Sequence, residues 1–380
     1  MRWQVKQGIR KQEGFTSRLR EAAPTVRVGC WLMLQRGGGG DKWHCDAMLG
    51  KGHWAGVYLL RKMQLAGGLD ATLSQTAHKA LKVVSAPNVW ELHVSNTLHR
   101  ALAPAARSSF LRLESCVAYK DSTWLVSTYK RQVSLQDVIN CYRKANKKMD
   151  EPLIMFYATE LLRAVEALHA TGVLHADIKP DNILLRDDDE SNQASWSYTP
   201  AAGFGDKGVE LIDYGCAIDR NLYPPGTVFS GRSGTVAFEC VEMLTEATWT
   251  TQVDWFAVAS TIHCLLHNVY MDVNVSVDEA GGITAAPKLP LKRYWQVETQ
   301  ACAPSCLCRC VIDCVWQLTP GAKVEIWSDF FDCLLNGGAA SDPAALRLKL
   351  EAYWAANPAK CAAVRVGLMK QAILVDQFLE

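Results

Sequence analysis

The chain lacks a dominant charge: its 380 residues hold 40 Lys and Arg against 39 Asp and Glu, a formal net charge of +1. No global field draws it onto nucleic acid or a membrane surface, so any such contact needs a local patch. It also lacks a hydrophobic run long enough for a bilayer. The nearest, 256–271, carries His263, His267 and Asn268 and falls short of the roughly 20 apolar residues of a span; a buried helix is expected there. No secretory signal and no regular disulfide spacing accompany the 14 cysteines, and Cys116, Cys240, Cys264 and Cys333 lie in apolar runs. An intracellular protein with reduced thiols is the simpler reading. The stretch 299–325 holds Cys302, Cys306, Cys308, Cys310 and Cys314 but no paired Cys-x-x-Cys units, which argues against a common zinc site. Val-Glu stands at both of its edges, at 297–298 and 324–325, so it reads as a disordered insertion or translated non-coding sequence.

Two short runs organise what is present. Residues 173–182 read Val-Leu-His-Ala-Asp-Ile-Lys-Pro-Asp-Asn, and residues 211–215 read Leu-Ile-Asp-Tyr-Gly. His175, Asp177, Lys179 and Asn182 have the spacing of a protein-kinase catalytic loop, and Asp213-Tyr214-Gly215 has the shape of the metal-binding Asp-Phe-Gly turn with Tyr for Phe. Each follows an apolar run, and their order is that of a phosphoryl-transfer fold.

The rest of the chain falls into place around them. Leu49-Gly50-Lys51-Gly52 sits in a strand turn whose glycines let backbone N–H groups approach phosphate oxygens, and Val57 would cover an adenine face. Residues 78–84 read as a strand with Lys82 as the candidate for the α- and β-phosphates; Ala80, two residues back on the same face, would pack on the adenine. Glu91, at the start of a helical pattern, would hold that lysine charged and aimed. In a kinase Asp177 accepts or orients the substrate hydroxyl proton and Lys179 steadies the transferring phosphoryl group. Asn182 and Asp213 hold Mg²⁺, and Leu184 packs under the adenine. The Asp-x-Lys-x-x-Asn spacing is that of serine/threonine kinases, and His175 reads as a packed core histidine. Asp254 would brace the catalytic loop, and Glu242 would pair with a buried arginine, Arg347 being the candidate. Leu59 to Thr76 reads as an exposed hairpin insert. The acidic run 187–190 has no fixed ligand spacing and reads as a solvated loop.

The expected fold is therefore α+β, a two-lobed protein-kinase fold with a small β-rich N-lobe (41–133) and a larger α-helical C-lobe (134–380). Loop inserts are expected at 186–208 and 299–325. Residues 1–40, rich in arginine and ending in Gly37 to Gly40, read as a disordered basic extension, with an organelle transit peptide as the alternative.

Several details narrow the family. Ala176 follows the catalytic-loop histidine, Asp213-Tyr214-Gly215 departs from Phe, and Cys240-Val241-Glu242 stands where most kinases have Ala-Pro-Glu. With the runs 211–229, 238–244 and 252–271, the chain resembles the Bub-type mitotic checkpoint serine/threonine kinases. The resemblance covers roughly 45–297 and 325–360. It implies ATP and Mg²⁺ as cofactors, the nucleus and the mitotic kinetochore as location with the cytoplasm as the alternative, and a threonine on the histone 2A tail as substrate. It also implies checkpoint partners, among them a WD-repeat propeller protein. No direct nucleic-acid site and no membrane contact are expected. The family's helical-repeat N-terminal half has no counterpart in forty residues. Since Lys82, Glu91, Asp177, Lys179, Asn182 and Asp213 are all present, an active kinase is the first reading. The alternative is a pseudokinase binding module without turnover.

Overall fold

The structure is a computed structural model that describes residues 12–34, 41–52, 54–62, 77–129, 133–187, 199, 203–204, 207–277, 282–289, 326–337 and 342–379. The glycine run 37–40, most of the inserts at 59–76 and 186–208, and the cysteine-dense stretch 299–325 lie outside these residues. The chain divides into two compact units, Met1–Val138 with Arg163–Val228, and Ile139–Leu162 with Phe229–Glu380.

The first unit is built on a seven-stranded sheet. In chain order its strands are β1 (Phe15–Arg18), β2 (Trp31–Met33), β3 (Lys42–Lys51), β4 (Ala55–Lys62), β5 (His78–Val84), β6 (Leu113–Tyr119) and β7 (Thr123–Thr128), with helix α1 (Trp90–Ala101) between β5 and β6. Their order across the sheet is β1-β6-β7-β5-β4-β3-β2. Alternation sets the faces of β5: Leu81 is fully buried against Trp43, Leu60, Trp124 and Val126, while Ala80 and Lys82 point to the other face. Helix α1 begins where the Asn88 side chain accepts the Trp90 N–H at 3.0 Å, and it buries Glu91, Leu92, Val94, Ser95 and Leu98. That one-sided stripe is what a 3.6-residue period produces. The helix stops at extended Leu102, two residues before Pro104.

The expectation that residues 1–40 form a disordered extension is corrected for 12–34. Strand β1 pairs in parallel with β6, Phe15 facing Cys116 and Arg18 facing Tyr119. The Arg18 guanidinium donates to the Tyr119 hydroxyl at 3.2 Å and lies 5.7 Å from the ring centroid. Ala23, Val26 and Cys30 pack against the sheet core. Gly14 enters the pairing at φ +81°, and a Cβ there would come within 2.5 Å of the Glu114 carbonyl oxygen.

Helices α2 (Leu135–Lys144) and α3 (Glu151–Ala170) follow the sheet, then short strands β8 (Val173–Leu174), β9 (Ile183–Asp187), β10 (Lys207–Leu211) and β11 (Ile218–Asp219). Strand β9 pairs with β10 and β8 with β11, both antiparallel. These two ladders hold the catalytic-loop and Asp-Tyr-Gly segments in register.

The second unit is mainly helical. It holds α4 (Val241–Leu244), α5 (Gln252–His267), the hairpin β12 (Val273–Val277) and β13 (Ile283–Pro287), then α6 (Ile326–Leu335), α7 (Pro343–Ala356) and α8 (Pro358–Leu379). Helix α5 is the buried helix expected from the apolar run. It is buried from Val253 to Leu266 except at Trp255, and ends at Asn268 in the left-handed region. No helix among the described residues is long and apolar enough to cross a membrane. Two buried indole N–H groups of this unit find acceptors: Trp327 donates to the Glu151 carboxylate at 2.8 Å and Trp354 to the Thr159 hydroxyl at 2.9 Å. Arg347, expected opposite Glu242, pairs with Glu351 one turn along its own helix at 2.5 Å.

Candidate active site

All six groups singled out for chemistry lie in the first unit. On β5, Lys82 sends its Nζ to both oxygens of Glu91, at 2.9 and 3.0 Å, and to Asp213 Oδ1 at 2.8 Å. The Glu91 side chain is 7% exposed and that of Lys82 20%. Burial works against the Lys82 charge, but the two carboxylates prevail and hold its pKa above the ordinary lysine value. Burial pushes the Glu91 carboxyl up, against the pull of Lys82. Burial also opposes charge on Asp213, yet Lys82 and the Gly215 N–H keep its pKa below the usual carboxylate value. The lysine is thus held as a cation and pointed by two anions.

Asp213 adopts φ +64° and ψ +78° and accepts the Gly215 N–H through Oδ1 at 3.2 Å. This turn projects the carboxylate while Tyr214 stays buried. The Tyr214 hydroxyl lies 3.1 Å from the carbonyl oxygens of both Leu111 and Leu211. A phenylalanine could not make that attachment. Leu111 is in turn tied to helix α1, where the Ser95 hydroxyl donates to its carbonyl and accepts the Leu113 N–H.

In the catalytic loop Lys179 Nζ lies 2.9 Å from Asp177 Oδ2. Asn182 donates to the Asp177 backbone carbonyl at 2.9 Å and to Oδ2 at 3.1 Å. Asp177 is therefore aimed by a cation and an amide. His175 is fully buried; its Nδ1 accepts the Asp177 N–H at 3.3 Å and its Nε2 lies 2.9 Å from the Ile212 carbonyl. That pattern sets an Nε2–H tautomer in a structural position, linking the loop to the Asp213 segment. Ala176 takes φ +59°.

The candidate nucleotide-binding residues are placed as follows. Val57 and Ala80 are half-buried on adjacent strands, β4 and β5. Leu184, also half-buried, lies on β9 and bridges to Ser134. Leu49, Gly50 and Gly52 are exposed near the β3–β4 turn. Among the described residues a Cβ on Gly50 would meet no atom within 4 Å beyond its chain neighbours, so their packing does not require glycine there. Close approach of a ligand phosphate would.

A divalent cation fits the donor set. Asp213 Oδ1 holds Lys82 and Gly215, leaving Oδ2 to a metal, and Asn182 turns its NH₂ toward Asp177, leaving its amide oxygen. Two hard oxygen ligands suit Mg²⁺, which completes its shell with phosphates and water. Among the described residues no group of three or more His, Cys, Asp or Glu could hold a metal ion.

Two attachments of helix α1 had no clear sequence signal. Trp90 Nε1 donates to the Ala217 carbonyl at 2.8 Å, and His93 Nε2 lies 2.9 Å from Asp219 Oδ2. Both flank Glu91 and fasten its helix to the segment after Asp213. His93 Nδ1 also meets Gln12 at 3.0 Å, a contact legible only once residues 12–34 are seen to fold.

The family model described as protein kinase domain matches residues 43–304, more than half of the chain. The chain belongs to the protein kinase family. Among its relatives are checkpoint kinases of the Bub type. It is 32% identical over 339 residues to the mitotic checkpoint serine/threonine-protein kinase BUB1 of Arabidopsis thaliana, covering 88% of this chain and 58% of that protein. It is 30% identical over 312 residues to the spindle assembly checkpoint serine/threonine-protein kinase BUB1 of Saccharomyces cerevisiae, covering 80% of this chain and 26% of that protein. It thus spans little more than half of the plant relative and about a quarter of the yeast one. Its fold is similar to the crystal structure of the BubR1 kinase domain, with a TM-score of 0.72 at 24% identity, over 98% of this chain and 96% of that one.

Proposed function

We propose that this protein kinase transfers the γ-phosphate of ATP to serine and threonine hydroxyls of proteins. The observation that carries the reading is the assembled Lys82–Glu91–Asp213 ion-pair network, present together with the Asp177–Lys179–Asn182 cluster. Phosphoryl transfer asks little covalent chemistry of a protein; positioning and charge stabilisation are nearly all of it. Lys82 binds the α- and β-phosphates, Asp177 takes up or orients the proton of the attacking hydroxyl, and Lys179 offsets charge on the transferring group. Asn182 and Asp213 hold Mg²⁺, which when bound neutralises charge on the β- and γ-phosphates. Val57, Ala80 and Leu184 supply apolar contact to the adenine.

The relatives' names place them in the mitotic spindle checkpoint, and we extend that setting to this chain. Its site is the kinetochore, its substrate a threonine of the nucleosomal histone 2A tail, and its partners are checkpoint proteins. The test is transfer from Mg·ATP by the purified chain to nucleosomes and to a generic protein, with the phosphorylated residue identified. Phosphothreonine on histone 2A supports the full reading. Transfer to the generic protein alone keeps the kinase and removes the substrate. A folded chain that transfers to neither is the pseudokinase module instead.

A further inference from the structure

A second chemical site lies away from the phosphoryl-transfer groups, where β2 joins β3. These strands pair with Trp31 opposite His44 and Leu32 opposite Trp43. One step further, the register sets Cys30 against Cys45. The Cys45 N–H donates to the Cys30 carbonyl at 2.9 Å, and the Gly29 N–H donates to the Cys45 carbonyl at 2.8 Å. Two residues thus face one, a bulge whose first member, Gly29, sits at φ +86°. The turn leading into it is closed by the Cys30 N–H on the Arg27 carbonyl at 3.1 Å.

The direct backbone hydrogen bond from Cys45 to Cys30 across the bulge keeps the two backbones close, roughly within the 4.4–6.8 Å between Cα atoms that a disulfide spans. Cys45 belongs to the core cluster with Leu32, Trp43 and Leu60, and Cys30 packs against that cluster. Burial, with Cys30 and Asp46 adding, pushes the Cys45 thiol up to about 11. Cys45 is fully buried, whereas Cys30 is half-buried and reachable from solvent.

We propose that Cys30 and Cys45 are a redox-active pair that closes to a reversible disulfide, stapling the turn that enters β2 to the root of the glycine-rich hairpin. A peroxide serves as oxidant. The Cys30 thiolate attacks one peroxide oxygen; an S–O bond forms, the O–O bond breaks, and hydroxide leaves to be protonated. The Cys45 thiol, passing its proton to the departing oxygen, then attacks the Cys30 sulfur; the S–S bond forms, the S–O bond breaks, and a second water leaves. The two sulfurs together lose two electrons and hydrogen peroxide becomes two waters. A dithiol reductant reverses the step by exchange. The staple falls at a mechanically relevant place: the β3–β4 pairing shifts register between Cys45 and Ala47, and Leu49-Gly50 follows on the same strand. Closing it removes freedom from the base of the phosphate-cradling turn.

The test treats the full chain with hydrogen peroxide, blocks remaining thiols and maps tryptic peptides without reduction. Cleavage after Arg27, Arg36, Lys42 and Lys51 leaves Cys30 in 28–36 and Cys45 in 43–51. The expected product is these two peptides linked, lost with dithiothreitol and in Cys30→Ser and Cys45→Ser. The oxidised chain also melts at a higher temperature than the reduced one, and reduction abolishes the difference. Peptide mapping of the unsubstituted chain needs no variant to fold. Cys30 recovered as sulfinic acid or joined to another cysteine, with Cys45 still a free thiol, overturns the proposal.

Discussion

Lys82→Met removes the cation from the Lys82–Glu91–Asp213 network, and its cost is calculable in kind. Glu91, 7% exposed, keeps its carboxylate but loses an ammonium held by two bonds of 2.9 and 3.0 Å. Breaking a buried pair from one side costs about 3–5 kcal/mol, because the remaining charge is left in a poor solvent. Lys82 is partly exposed and Glu91 can take up a proton, so the low end, about 3 kcal/mol at pH 7, is expected. The substitution is thus not silent for stability, although the shape of the side chain is nearly kept. Its pH dependence follows from linkage. Without Lys82 the folded Glu91 pKa rises further above its unfolded value of about 4.3. The penalty is absent below that value and grows as pH rises toward the folded pKa, so most of it vanishes by about pH 5. Urea unfolding at pH 7 and pH 5 reads this directly. The double variant Lys82→Met/Glu91→Leu should recover most of the loss at pH 7 while remaining inactive. A single variant as stable as wild type at pH 7, or equally destabilised at both pH values, would refute the reasoning.

Other predictions follow from neighbouring contacts. Tyr214→Phe should cost no more than about 1 kcal/mol in urea unfolding, because the Leu111 carbonyl keeps Ser95 and the Leu211 carbonyl keeps the Leu111 N–H; a loss well above that would mean the hydroxyl holds more than these two carbonyls. Burial opposes charge on Asp219, but His93 and Asn221 hold its pKa below the usual carboxylate value. Its contribution is present above the unfolded pKa of about 3.9 and is lost as pH falls through the lower folded value, so the stability gap between wild type and Asp219→Asn should narrow in acid. Burial lowers the His263 pKa. Stability should therefore fall as pH drops below about 6.5, down to the folded pKa, and His263→Phe should flatten that slope in a pH series of melting curves.

The sequence was most informative where chemistry demands fixed residue types in fixed order. Strand His78–Val84 matches the sequence reading residue for residue. The Lys82–Glu91 contact could be read because a strand lysine followed by a helix glutamate is a requirement of the fold. Strand β1 was illegible: it pairs with β6 across about a hundred residues in parallel register, and nothing local in an arginine-rich stretch announces such a partner. The same holds for His93 and Asp219, 126 residues apart in sequence. Tyr214 was visible as a departure from phenylalanine, but the use of its hydroxyl depends on where the Leu111 carbonyl lies. The Cys30–Cys45 opposition likewise depends on a bulge at Gly29, which no periodicity reveals.

The most direct test of the central claim is a single-turnover measurement of γ-phosphate transfer from Mg·ATP by the purified chain, beside Asp213→Asn, with nucleotide binding and folding followed in the same samples. The account predicts transfer to serine or threonine by the native chain. The variant should fold but lose transfer by about a thousandfold or more, since a metal-holding charge is removed from the site. Equal transfer by the two proteins, or none by a native chain that binds Mg·ATP, would contradict it.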